Sequence, residues 1–231
     1  IMQSYAPGDK PVTGWGEVLH TLAHGDAVCQ TAHRADCPFP QEMRYELPGL
    51  VIDNCAMAGR SSKTFREEGR LDDIAAHIRP GDLLVVSFGH NDANRAKAER
   101  YVPADAFGES LRPFWDAARS HGAVCIFASP VAMREFDEAG VCYPSFAAYR
   151  EAMRAFAAEV GAPFVDLDAA TAAANTAFGA ERCKARYMWV GAKQDNAHQQ
   201  NAGACRTAQA FVQQLLQDTT PALDVLRANF K

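Results

Sequence analysis

Two patterns alternate along the chain: short runs that are almost wholly apolar, and longer stretches in which apolar residues recur every three or four positions. Leu50 to Asn54 (LVIDN), Asp82 to Gly89 (DLLVVSFG), Ala123 to Ser129 (AVCIFAS) and Pro163 to Leu167 (PFVDL) are of the first kind. Their length predicts strands, and Pro80-Gly81 marks a turn before the second. A strand without a polar side is covered on both faces, as in a parallel sheet. The longer pattern predicts helices. One opens at Pro103, aligns Phe107, Leu111, Phe114 and Ala118, and ends at Gly122. Another takes Ser145 as N-cap, runs through Phe146, Tyr149, Met153, Phe156 and Val160, and stops at Gly161. A last helix presents Ala208, Phe211, Val212 and Leu215. These stripes read as core packing. Strand–helix alternation predicts a three-layer α/β/α sandwich with a parallel sheet. In such sheets ligands bind outside the carboxyl ends of the strands.

Composition narrows the class. The 231 residues, 48% hydrophobic and 22% charged, suffice for one core. A formal net charge of -5 gives no basis for binding nucleic acid or an anionic membrane. The most apolar run, Leu83 to Phe88, is far too short to span a bilayer. The seven cysteines show no C-x-x-C spacing, which argues against a zinc ribbon or a thioredoxin-type site. Cys55 and Cys125 lie in or beside strand-like runs and are expected as buried thiols, and Cys29 with Cys37 is the nearest pair for a disulfide. Reduced thiols are expected for most, and with them a cytoplasmic rather than a secreted protein.

The strand ends carry the candidate chemistry. After the first strand, Gly59 allows close backbone approach to a ligand, although an ordinary turn capped by Ser61 or Ser62 would look the same. After the second, the amide of Asn91 is placed to donate to an oxyanion, while Asn91 and Asp92 are also common turn formers. Before the last helix, His198 alone among the seven histidines has an aspartate, Asp195, three residues earlier. A carboxylate so placed can hold one imidazole nitrogen and leave the other to take a proton from a hydroxyl. A helix-entry turn with an incidental histidine is the plainer alternative. A metal reading would bring His90, Asp92, Asp195 and His198 onto one ion, without any H-E-x-x-H spacing.

Taken in order, these segments resemble the SGNH, or GDSL-type, hydrolases, and more narrowly their rhamnogalacturonan acetylesterase-like branch. IMQSY (Ile1 to Tyr5) and TGWGEVL (Thr13 to Leu19) resemble the stretch just after the family's nucleophile. NCAMAGRSS (Asn54 to Ser62), GHND (Gly89 to Asp92) and DNAH (Asp195 to His198) resemble the other three blocks, and PVAMREFDEAG and YMWV the branch. The resemblance implies a sheet of flavodoxin-like order 2-1-3-4-5. It implies one domain over residues 1–231 that lacks its first strand, with the nucleophilic serine immediately before Ile1. Ser4, Ser61 and Ser62 rank below that position as nucleophiles. Gly59 and Asn91 would be the oxyanion donors, and Asp195 and His198 the rest of the triad, with no cofactor or metal. The implied activity is a carboxylic ester hydrolase that removes acetyl groups from an acetylated oligo- or polysaccharide of the plant cell wall, such as rhamnogalacturonan. Arg60, His90, Tyr187 and Trp189 would line the sugar site. An acetylxylan esterase, a short-chain lipase and a non-catalytic carbohydrate-binding relative are the alternatives.

Overall fold

The apolar run at Val124 to Ala128 divides its side chains between two cores: Cys125 and Phe127 face one, Ile126 and Ala128 the other. A computed structural model, which describes residues 1–23 and 28–230, shows how the chain covers both. Its strands are β1 (Gln30–Ala32), β2 (Met43–Leu47), β3 (Leu50–Asn54), β4 (Leu83–Val86), β5 (Val124–Ala128), β6 (Phe164–Val165), β7 (Tyr187–Val190) and β8 (Lys193–Gln199). Its α-helices are α1 (Trp15–Val18), α2 (Ser62–Glu67), α3 (Arg70–His77), α4 (Ala104–Ser120), α5 (Ala147–Val160), α6 (Leu167–Phe178), α7 (Asn201–Gln217) and α8 (Asp224–Asn229). Strands β4, β5 and β6 form a parallel sheet in that order. Trp15, Leu19, Ala208, Phe211 and Leu215 cover one face, and Phe65, Phe107, Phe114, Met153 and Phe156 the other. The result is the expected α/β/α sandwich.

The ends of the elements differ from expectation for local reasons. The run at Pro163 to Leu167 keeps only two strand residues, because Asp166 turns to cap α6 by accepting from the Ala169 N–H at 3.0 Å. Ser145 does not cap α5. Phe146 takes that position, and the Ser145 hydroxyl accepts from the Met133 N–H at 3.0 Å instead. Cys125 is buried as expected, but Cys55, just past the end of β3, is only half-buried; all seven cysteines are free thiols, Cys29 and Cys37 included. Among the described residues no helix is long and apolar enough to cross a membrane.

The larger correction concerns β3. Its apolar run predicts a place in the parallel sheet, yet it pairs antiparallel with β2, which pairs antiparallel with β1. Among the described residues strand β4 likewise pairs on one side only, with β5. Between β3 and β4 runs a cleft of about 1170 Å³. Ile52 and Asn54 line it from β3, Leu83 to Val86 from β4, Trp15 and Phe211 from one helical layer, and Phe65 and Phe114 from the other. The cleft thus lies in the plane of the sheet. An extended segment there would reach both strand edges, whose backbone groups otherwise lack ladder partners among the described residues.

Candidate active site

Asp195 and His198 sit on a distortion rather than on a helix-entry turn. In the hairpin of β7 and β8 the register jumps from Tyr187 opposite Gln199 to Met188 opposite Asp195, so Asn196, Ala197 and His198 bulge from the ladder. Bulges re-aim side chains in this way. Asp195 Oδ2 accepts from His198 Nδ1 at 2.9 Å, while Oδ1 accepts from the backbone N–H groups of Ala197 and His198 at 2.8 and 2.9 Å. Partial burial opposes the charge on Asp195, but these donors outweigh it and hold the carboxyl below its ordinary range. His198 exposes 44% of its side chain, and its Nε2 has no partner among the described residues. With Nδ1 held as a donor, Nε2 is the nitrogen free to accept a proton.

Two loops bring Gly59 and Asn91 to the cleft, which Arg60, His90 and His198 also line. Gly59 follows β3 with φ +77, in the left-handed region that glycine adopts without a Cβ clash. Asn91 follows β4. Its Nδ2 donates to the Arg60 carbonyl at 3.0 Å and its Oδ1 accepts from Arg100 Nη1 at 2.9 Å. The amide is therefore fixed in orientation, with its second N–H uncommitted. Asp92 is wholly buried and braces the loop, accepting from the Ser62 N–H and hydroxyl at 2.9 and 2.6 Å and from the Gly89 N–H at 3.0 Å.

The start of the chain, Ile1 to Gln3, also lines this cleft. Ile1 accepts from the Trp15 N–H at 3.0 Å, and Met2 from Asn54 Nδ2 at 3.0 Å. The T-G-W-G motif explains the close fit: a Cβ on Gly14 would meet the Gln3 carbonyl oxygen at 2.0 Å, and one on Gly16 the Met2 oxygen at 2.7 Å. Ile1 and His198 line the same cleft. The weaker serine candidates are otherwise engaged. The Ser4 hydroxyl is buried between Tyr45 Oη and Asn54 Nδ2, both at 2.8 Å; Ser61 caps α2 in a capping box; Ser62 donates to Asp92.

The remaining candidates separate. His90 donates from Nε2 to the Val131 carbonyl at 2.9 Å, and enclosure pushes its pKa down to about 3, so the ring is neutral with Nδ1 an acceptor. Arg60 reaches the cleft but pairs with Glu68 at 2.8 Å. Tyr187 is core, 1% exposed, its hydroxyl donating to the Ala132 carbonyl and accepting from Asn175. Arg134 and Lys184 both lie over the Trp189 ring, and its indole donates to Asn196 Oδ1 at 2.8 Å, which braces the bulge. The metal reading does not assemble, since Asp92 turns to Ser62 and His90 to Val131. One group of possible ligands does gather among the described residues, Cys37, Glu42 and Asp73, and there the Arg34 guanidinium already donates to Asp73. Sequence reading missed Arg100, which no motif or spacing marks.

Residues 14–189 match the GDSL-like lipase/acylhydrolase family. The chain is 32% identical over 229 residues to rhamnogalacturonan acetylesterase RhgT of Bacillus subtilis (strain 168), covering 95% of this chain and 88% of that one. It is 38% identical over 189 residues to the probable rhamnogalacturonan acetylesterase YesY of the same organism, covering 80% and 87%. The crystal structure of YxiM from Bacillus subtilis superposes with a TM-score of 0.76 at 25% identity, over 96% of this chain and 55% of that one. The chain thus spans about half the length of that solved relative.

Proposed function

The chain belongs to the GDSL-like lipase/acylhydrolase family and is a carboxylic ester hydrolase; from that premise we propose that it removes acetyl groups from rhamnogalacturonan through a Ser-His-Asp triad. The observation that carries the mechanism is that His198, held by Asp195, lines the same cleft as Gly59 and Asn91. The nucleophile in this reading is a serine immediately before Ile1, on a strand that occupies the cleft between β3 and β4. Its hydroxyl attacks the acetyl carbonyl while His198 Nε2 takes the proton. The serine N–H, the Gly59 N–H and Asn91 Nδ2 stabilise the tetrahedral oxyanion. His198 then protonates the departing sugar oxygen, and water, activated by the same nitrogen, releases acetate. Asp195 stays ionised throughout and orients the imidazole.

The substrate is supported by the names of the two relatives similar over most of the chain, RhgT and YesY. On the cleft wall, neutral His90 offers an acceptor at Nδ1 to a sugar hydroxyl. The test is acetate release from acetylated rhamnogalacturonan and acetylated xylan by the full-length protein. Release should be faster from rhamnogalacturonan and abolished in His198→Ala. Release no faster than in His198→Ala would overturn the reading, and faster release from xylan would overturn the substrate.

A further inference from the structure

We infer that Arg100 is a positioning residue that holds both oxyanion donors in register. One guanidinium nitrogen, Nη1, donates to the Gly59 carbonyl at 3.0 Å and to Asn91 Oδ1 at 2.9 Å. Gly59 follows β3 and Asn91 follows β4, so the two donors sit on different loops. Arg100 comes from the loop between β4 and α4 and ties the two together.

Each contact fixes a degree of freedom that oxyanion binding needs. An asparagine amide can rotate end for end, and in the reversed orientation it would present oxygen rather than N–H to the oxyanion. Arg100 accepts no hydrogen bond, so it can face only Oδ1. The Arg60 carbonyl then takes one Nδ2 hydrogen at 3.0 Å and leaves the other for substrate. On the other loop, anchoring the Gly59 carbonyl resists rotation about a backbone with φ +77. The cation also polarises the Asn91 amide, which makes its free N–H a stronger donor. Arg100 exposes only 24% of its side chain, so its charge is partly shielded from water. Lysine would supply a charge and donors without the planar fork.

The inference rests on the proposed oxyanion hole, and its test separates the two. Kinetics on 4-nitrophenyl acetate would compare wild type, Arg100→Ala, Arg100→Lys, Asn91→Ala and the Arg100→Ala/Asn91→Ala double variant, all as the full-length protein. Misplacing a donor costs roughly 10- to 100-fold in rate. Arg100→Ala should lower kcat by that factor with KM changed less than about threefold, and Arg100→Lys should recover part of the loss. In the Asn91→Ala background the further loss should shrink to a few-fold, because Arg100 acts largely through that amide. Titration with a serine-reactive phosphonate would correct each rate for the fraction of folded, active protein. An active wild type whose Arg100→Ala variant keeps its kcat, or loses the same factor with and without Asn91, would overturn the role of Arg100 alone. An Asn91→Ala variant with full activity would overturn the oxyanion hole and the inference with it.

Discussion

Replacing Asp195 by asparagine removes a charge while nearly conserving the shape of the side chain, and the bulge dictates how the new amide must sit. In the native site Oδ1 accepts two backbone N–H groups, from Ala197 and His198 at 2.8 and 2.9 Å, and Oδ2 accepts from the imidazole at 2.9 Å. Asparagine has one acceptor end and one donor end. If the amide oxygen faces the imidazole, its NH₂ group opposes two backbone donors, at about 1–3 kcal/mol for each donor left unsatisfied. If the oxygen faces the backbone, both bonds survive and the NH₂ group donates to His198 Nδ1. Neutral imidazole can carry its proton on either nitrogen, so the second arrangement wins. It places the proton on Nε2, which then cannot accept one from the nucleophile. Asp195→Asn should therefore fold with near-native stability and lose roughly 10⁴-fold in kcat, the scale of a triad with the wrong tautomer. Steady-state hydrolysis of 4-nitrophenyl acetate near pH 7.5, with thermal unfolding as the control, measures both. A well-folded variant within tenfold of wild-type kcat would refute the claim that this pair sets the tautomer.

Other parts of the chain make independent predictions. Asp168 is wholly buried without a hydrogen-bond partner for either oxygen among the described residues, and burial, opposed by the charge of Arg150, pushes its carboxyl up to about 6. The unfolded chain releases that proton near about 3.9, so the stabilisation tied to the protonated form is complete below about pH 4 and is lost as pH rises through about 6. Asp168→Asn should gain up to about 3 kcal/mol on wild type between pH 4 and pH 7 in urea unfolding; a difference independent of pH would be the contrary result. Trp189→Phe keeps an aromatic ring beside Arg134 and Lys184 but removes the hydrogen bond to Asn196. It should cost about 1 kcal/mol in stability and lower kcat a few-fold through the loosened bulge; unchanged stability and kcat would mean that the indole braces nothing.

Much of the fold was legible because the two periodicities are strong where packing is dense. The runs at β4 and β5 are apolar on both sides because helices cover both sides, and the stripes of α4 and α5 point into one of those layers. Strands β1 and β2 were missed for the opposite reason. All of β1 is exposed and β2 buries only Tyr45 fully, so neither shows an apolar run. Helix α6 is rich in alanine and threonine, which weakens its apolar stripe. The antiparallel pairing of β3 could not be read from LVIDN, since an apolar run does not say which edges it presents. At the site, short spacing made Asp195 and His198 legible as a pair, although the bulge that aims them was not. Tyr187 looked like a sugar platform because it is aromatic and near the pair, but its hydroxyl finds two buried partners. Arg100 had no signal, since its role arises only when the loop after Asn91 folds back over Gly59.

The most direct test is to find the residue that a serine-reactive phosphonate labels. The full-length protein would be treated with the reagent, digested and mapped by mass spectrometry, beside His198→Ala. A single adduct on a serine immediately preceding Ile1, suppressed in the variant, is the expected result and would put the nucleophile next to Ile1, which lines the same cleft as His198. An adduct on Ser4, Ser61 or Ser62, or none on the wild-type protein, would contradict serine catalysis at this position.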